Sequence, residues 1–345
     1  MMYSRILPTV GAAIVIAGGL LASAAMAQGK GESVKFQDYP GTGNMLARIA
    51  ISKGYCEKYG IKCTLQRIPS GPLGAQALLA KSIDAGLFPA EVMTPAIANG
   101  AKIKIVAGGA VSNVALSIAG NHVDAPNAGK PFPAFMRDMK GKKIGTPARG
   151  SALEKMASAM LTKAGISPDD VTFVAVGGPD TAYGALISKQ VDFLFIFDPA
   201  GSMCDVLKTC KTIWRGGLDK EPAETYAMNG GGSGTVLRQE TIDQSPHVVE
   251  AIIKAFRDAD TFINNPANFA ETKQIAEQYF KFDFPKGDEV LDRVLKLAIE
   301  TKTYSVGIDR AAVTSGLKFY ADLKVLDKVL PISDLVDSRA PELTR

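Results

Sequence analysis

Histidine is nearly absent from this chain of 345 residues: there are two, His122 in a proline-rich stretch and His247 behind Pro246. A two-histidine metal site or a histidine-based relay would need distant segments to meet, so the sequence offers little to metal hydrolysis or triad chemistry. Basic residues barely outnumber acidic ones, 39 against 35, and none of them form a run of five or more, which argues against a nucleic-acid surface. Long apolar runs are lacking too. The one near the start, residues 10–21, is shorter than a membrane span requires. Nucleotide and nucleophile signatures each fail by a residue or so. Gly145 and Gly150 have P-loop spacing, but Ser151 stands where the motif needs lysine. Gly41-Thr42-Gly43 has no third glycine, and Gly231-Gly232-Ser233-Gly234-Thr235 misses the last glycine of a nucleophile elbow. The chain therefore does not read as an enzyme, and neither a cofactor nor a metal is expected.

What is present begins with a leader. Arg5, the apolar run and the small residues ending at Ala25, Met26 and Ala27 make a secretory signal with cleavage expected after Ala27. The first cysteine is Cys56, far from that site, so no lipid anchor is expected and the product is exported. In an oxidising compartment the 4 cysteines should pair. Several connectivities are open. The short-range set, Cys56 with Cys63 and Cys204 with Cys210, is preferred because each joins the end of a predicted helix to the strand that follows.

The stretch from Gly141 to Met156 organises the middle of the chain. It predicts a strand over residues 143–146, a small-residue turn over 147–150, and a helix opening at Ser151 with Glu154 three places on, the signature of a capping box. Turn amides, the positive end of the helix dipole and Arg149 would together suit a small anion.

Two blocks of the chain repeat one another. Ser70-Gly71-Pro72 answers to Gly177-Gly178-Pro179, and residues 77–84 answer to residues 185–192, both running on through an apolar strand to Pro89 or Pro199. Two copies about 108 residues apart describe a pair of similar lobes rather than a solenoid. Strands are expected at residues 33–38, 61–68, 84–88, 102–108 and 114–119, then at 143–146, 171–176, 192–197, 211–214 and 235–238. A single helix is expected over 44–59. The proline-rich residues 121–133 are a candidate crossing between the lobes. From Pro246 onward the pattern is helical, and these helices are expected to pack across the outside of both lobes. Alternating strands and helices give α/β lobes with mainly parallel sheets, in which ligands collect at the carboxyl ends of strands. The expected cleft lining is residues 39–43, 70–72, 88–91, 148–151, 177–179 and 197–199.

Three blocks carry a family resemblance: Lys53-Gly54-Tyr55-Cys56-Glu57-Lys58-Tyr59-Gly60-Ile61, then residues 77–86 with Ile83-Asp84, and residues 139–148 leading to the 185–192 repeat and Asp198-Pro199. In these the chain resembles the periplasmic solute-binding proteins of ABC importers, in the group that includes binders of alkanesulfonates, taurine, nitrate and thiamine-precursor pyrimidines. The resemblance implies a type II periplasmic-binding-protein-like fold, two lobes on a two-segment hinge with crossings near 115–122 and 225–230. It implies closure on a small organic anion or zwitterion, a membrane permease as partner, and a monomer. The corresponding division is a leader over 1–27, one lobe from 28–118 plus 230–345, and a second from 119–229. An exported sensor, or a secreted enzyme on the same fold, is the alternative.

The ligand contacts expected on this basis are Tyr39, Gly41, Thr42, Ser70, Gly71, Phe88, Glu91, Arg149, Gly150, Ser151, Gly178 and Asp198. Arg149 is the first choice, because a guanidinium binds carboxylate or sulfonate in a bidentate way. Asp198 before Pro199 also fits a helix cap. Cys56 departs from the family pattern, which more often has an aromatic residue or leucine there. Glu91 departs as well, where small neutral residues are usual. Glu91 with Arg149 would make a site for a zwitterion.

Overall fold

The computed structural model of the chain describes Met1, residues 29–280 and residues 282–343; apart from Met1, the expected leader and its cleavage site lie outside the described residues. Four strands build most of a first sheet: β1 (Glu32–Asp38), β2 (Ile61–Arg67), β3 (Ala85–Phe88) and β4 (Ile103–Ala110). Five build a second: β5 (Leu116–Gly120), β6 (Lys143–Thr146), β7 (Thr172–Ala175), β8 (Phe193–Ile196) and β9 (Cys210–Arg215). The chain then returns to complete the first with β10 (Ser233–Arg238). The strand orders are β2-β1-β3-β10-β4 and β7-β6-β8-β5-β9.

Both sheets are mixed in the same way. In the first, β1 pairs in parallel with β2 and β3, while β10 is antiparallel to β3 and β4. In the second, β6 pairs in parallel with β7 and β8, while β5 is antiparallel to β8 and β9. Each sheet therefore runs in one direction except for the strand that enters straight after a crossing, β10 in one lobe and β5 in the other. The central strands β3 and β8 are apolar and buried throughout, as strands covered on both faces must be.

The repeat seen in the sequence has a structural cause. Lys81 and Lys189 take the left-handed conformation, at φ 60° and 63°, and stop their helices. The amides of Ser82 and Gln190 then reach back to Ala77 O and Ala185 O, at 3.0 and 2.9 Å, closing matching helix ends. Asp84 and Asp192 follow, each accepting from the first strand of its lobe, Asp84 from Lys35 N and Asp192 from Lys143 N, both at 2.9 Å.

Three expectations need correction. The chain changes sheets between Ala110 and Leu116, ahead of residues 121–133, because β5 is already paired inside the second sheet and Gly120 N bonds Asp192 O at 3.0 Å. A division at residue 118 would likewise cut β5 in two. The helix expected over 44–59 is two pieces, Met45–Ser52 and Tyr55–Lys58, since Gly54 between them sits at φ 67°. The two crossings are bonded to each other: Asn113 Nδ2 donates to Thr225 O at 3.0 Å, and the amides of Gly230 and Gly232 both donate to Val111 O at 2.8 Å.

Both short-range disulfides are formed, Cys56–Cys63 and Cys204–Cys210, tying helix Tyr55–Lys58 to β2 and helix Ala200–Leu207 to β9. Of the later helices, Pro246–Ile263 adds Val249, Ile252 and Phe256 to the core of the first lobe. Helix Gly287–Glu300 serves both lobes, with Leu291 and Leu295 in the first core and Val290 and Val294 in the second. No helix of the described residues is long and apolar enough to cross a membrane.

Candidate functional site

Loops at the carboxyl ends of strands from both sheets enclose a cavity of about 180 Å³. The first lobe contributes Tyr39 and Thr42 after β1, Ser70 and Gly71 after β2, and Glu91 after β3. The second contributes Ser151 after β6 and Phe197 and Asp198 after β8. Much of the remaining wall is apolar, including Leu87, Val92, Leu153, Met156, Met228 and Val313.

Buried polar residues shape the first-lobe loops. Arg48, 1% exposed, forks onto Asp38 through Nε and Nη2 at 3.0 Å, and its Nη groups also donate to Tyr39 O, at 2.8 Å, and to Gly41 O. One guanidinium therefore folds the turn that presents Tyr39 and Thr42. Gln37, fully buried, donates to Ile68 O and Ser70 O at 3.2 and 3.0 Å and accepts from Leu87 N at 3.1 Å, which sets the loop after β2 beside the end of β3. Arg48 and Gln37 were not among the expected site residues. Only Asp38, ten places before Arg48 and of opposite charge, hinted at the first, and nothing in the sequence hinted at the second.

Helices Gly71–Leu79 and Ala90–Ala98 both open at the cavity, and neither has a side-chain cap. Glu91 lies in the first turn of the latter, where the helix dipole favours a carboxylate. Its Oε1 accepts from Tyr320 Oη at 3.4 Å, and its carbonyl oxygen accepts from Lys155 Nζ of the second lobe at 3.2 Å. Burial pushes the Glu91 carboxyl up and the Lys155 ammonium down, each opposed by the other's charge. Burial also raises the phenols of Tyr39 and Tyr320, with the Glu91 charge adding to both.

On the second lobe Ser151 caps helix Ala152–Lys163, its Oγ accepting from Glu154 N at 3.3 Å, and Glu154 Oε2 accepts in return from Gly150 N at 3.3 Å. Asp198 also works as a cap, from one place further out than expected: Pro199 is the N-cap and Asp198 Oδ1 accepts from Ser202 N at 2.7 Å. Its other oxygen accepts from Arg215 Nη1 at 3.2 Å, and Arg215 Nη2 is held by Asp205 at 2.7 Å. Among the described residues no group of three or more His, Cys, Asp or Glu side chains is placed to hold a metal ion.

The model of one protein family, NMT1/THI5 like, matches residues 45–268. A protein of Brucella abortus, provisionally named as a binding protein, is 31% identical over 248 residues, which are 71% of this chain and 70% of the relative. The chain belongs to the NMT1/THI5-like family. The alkanesulfonate-binding protein of Xanthomonas axonopodis pv. citri, solved bound to MOPS, has the same fold with a TM-score of 0.67 at 18% identity, covering 90% of this chain and 99% of that one. A ligand-binding component of an ABC-type import system from Staphylococcus aureus, solved with zinc bound, matches with a TM-score of 0.67 at 16% identity over 89% and 96%.

In this NMT1/THI5-like chain several expected contacts lie away from the cavity. Arg149 faces outward, its side chain 66% exposed, because Glu154 Oε2 takes its Nε at 3.1 Å and Phe173 O takes its Nη1 at 3.2 Å. Gly150, next to it, is exposed and does not line the cavity. Phe88 is fully buried and folds back over Gly86, so it is core. Gly41 and Gly178 are not in the lining either, and both instead sit where the lobes touch. A Cβ on Gly41 would come 3.0 Å from Asp198 O, and one on Gly178 would come 2.6 Å from Pro40 Cγ. Trp214 packs on Phe195 and donates from Nε1 to Glu221 O at 2.9 Å.

These contacts describe an NMT1/THI5-like molecule with its lobes together. Tyr39 meets Phe197 edge to face across the cleft, with ring centroids 6.0 Å apart. Lys155 bridges to the start of helix Ala90–Ala98, and Arg67 approaches Asp180 at 3.9 Å on the exposed rim.

Proposed function

We propose that the chain is the solute-binding component of an ABC importer, exported to the periplasm, which closes its lobes on a small organic anion or zwitterion and delivers it to the permease. The observation that carries this reading is a cavity walled by strand-end loops of both lobes. A ligand that touched one lobe would bind open and closed forms alike, whereas one held by Ser70 and Glu91 on one side and Ser151 and Asp198 on the other favours closure. Family membership supports the reading, and so do the names of the Staphylococcus and Xanthomonas proteins that share the fold. No nucleophile or general base is required for it. The test is thermal unfolding of ligand-free protein against nitrate, bicarbonate, taurine, alkanesulfonates, carboxylates and pyrimidines. A ligand at a thousand times its dissociation constant adds about 4 kcal/mol, enough to raise the midpoint by several degrees. A panel without any riser, on protein shown to be folded and empty, would count against the reading.

A further inference from the structure

We propose that Glu91 sets the specificity of the cavity: the ligand carries an N–H donor, an amine or amidine, that Glu91 receives, and an oxygen acceptor that Ser70 and the helix end beside it receive. The inference rests on the cavity being the ligand site and narrows the ligand class within it. Among the described residues the Glu91 carboxylate receives a long bond from Tyr320 at Oε1 and the pull of its own helix amide, and no cationic side chain bonds it. Lys155 acts on the Glu91 carboxylate through its charge but places its hydrogen bond on the Glu91 carbonyl oxygen. The remaining cations near the cavity are engaged elsewhere, Arg215 by Asp198 and Asp205, and Arg149 on the outside by Glu154. A simple anion entering here would meet a carboxylate and find no free guanidinium. A ligand bearing its own N–H group pairs with that carboxylate instead.

The acceptor end has separate support. Ser70 is 2% exposed and its Oγ has no hydrogen-bond partner among the described residues, a costly arrangement that a ligand oxygen would relieve. It stands at the N-terminus of helix Gly71–Leu79, which no side chain caps. The two ends are neighbours: a Cβ on Gly71 would lie 3.3 Å from both Tyr39 Oη and Val92, the residue after Glu91. Glycine there lets the two loops close on a small molecule.

The test is calorimetric titration at neutral pH with matched pairs that differ in one N–H group: taurine and ethanesulfonate, β-alanine and propionate, 4-(aminomethyl)benzoate and 4-methylbenzoate. Wild-type protein should bind the N–H member of at least one pair about tenfold or more tighter than its partner. Glu91→Gln, checked for fold by circular dichroism, should bring that pair to within about threefold, while Ser70→Ala weakens both members alike. Tyr320→Phe, which leaves the carboxylate in place, should keep the preference. Equal affinity within every pair, or preference for the N–H-free member, overturns the inference while leaving the binding-protein reading intact. So does a Glu91→Gln loss that is equal for both members. If no compound binds, the inference falls, and a small-molecule cell extract that also fails to raise the unfolding midpoint removes the binding-protein reading with it.

Discussion

At the residue scale the cavity depends on groups whose surroundings oppose their charge. Glu91 holds its proton above the ordinary value of 4.5 because burial disfavours the carboxylate, with Lys155, Tyr320 and its own helix amide pulling the other way. A carboxyl raised in the folded state binds protons more tightly there than when unfolded. Its contribution to stability is therefore largest below 4.5 and is lost as pH rises through 4.5 toward the folded value. In ligand-free protein the stability difference between wild type and Glu91→Gln should thus shift against the wild type from pH 4.5 to neutrality, as read by urea unfolding at a series of pH values. Parallel pH profiles would contradict it. Gly41 offers a second prediction. It sits at φ 110° and faces Asp198 O of the other lobe, so an added methyl group obstructs the closed form in particular. Gly41→Ala should fold and yet bind ligand about tenfold or more weakly, whereas unchanged affinity would mean that the contact carries no closure energy. The turn residues Tyr39, Ser70 and Ser151 were legible in the sequence because glycine turns, caps and strand ends have local signatures. Arg149 was misplaced for a reason equally local: the Glu154 of its own capping box was available to it, and a long side chain takes the nearest partner. Gln37 and Arg48 work through contacts with carbonyl groups that only the tertiary fold brings near.

At the scale of elements, the repeat was readable since it is written in short-range chemistry. A left-handed lysine ends each helix and an aspartate anchors the next strand to the first, and both lie within a few residues of each other. The disulfides were readable for the same reason, each closing a loop of 7 or 6 residues. Replacing Cys204 and Cys210 together by serine should lower the unfolding free energy by about 2–3 kcal/mol on the chain-entropy estimate, measured by urea denaturation with and without reductant. A double variant as stable as the parent would show that Cys204–Cys210 does no more than decorate a helix end already held by β9. Less could be read of the crossing. Proline and glycine marked residues 121–133 as loop, and they are loop, but the strand before them had already joined the second sheet. Strand partners are long-range choices, so composition locates a loop without saying which lobe it belongs to.

At the scale of the molecule, two lobes share two bonded crossings, and later helices bear on both. Helix Gly287–Glu300 enters both cores, and Tyr320 of helix Arg310–Asp322 reaches Glu91 on one lobe and Met156 Sδ on the other. The sequence reading placed these helices outside the lobes. Their amphipathic pattern announces one buried face each, and it does not say that the face spans a hinge. If the lobes part as proposed, helices bonded to both must shift with them, which would favour a rotation about the crossings. The central claim is that ligand and closure are one event, and small-angle X-ray scattering on protein emptied of ligand tests it most directly. With the tightest compound from the titrations added stepwise, the radius of gyration should fall along a saturable curve whose midpoint equals the calorimetric dissociation constant. A radius that stays constant while calorimetry reports binding would contradict the account.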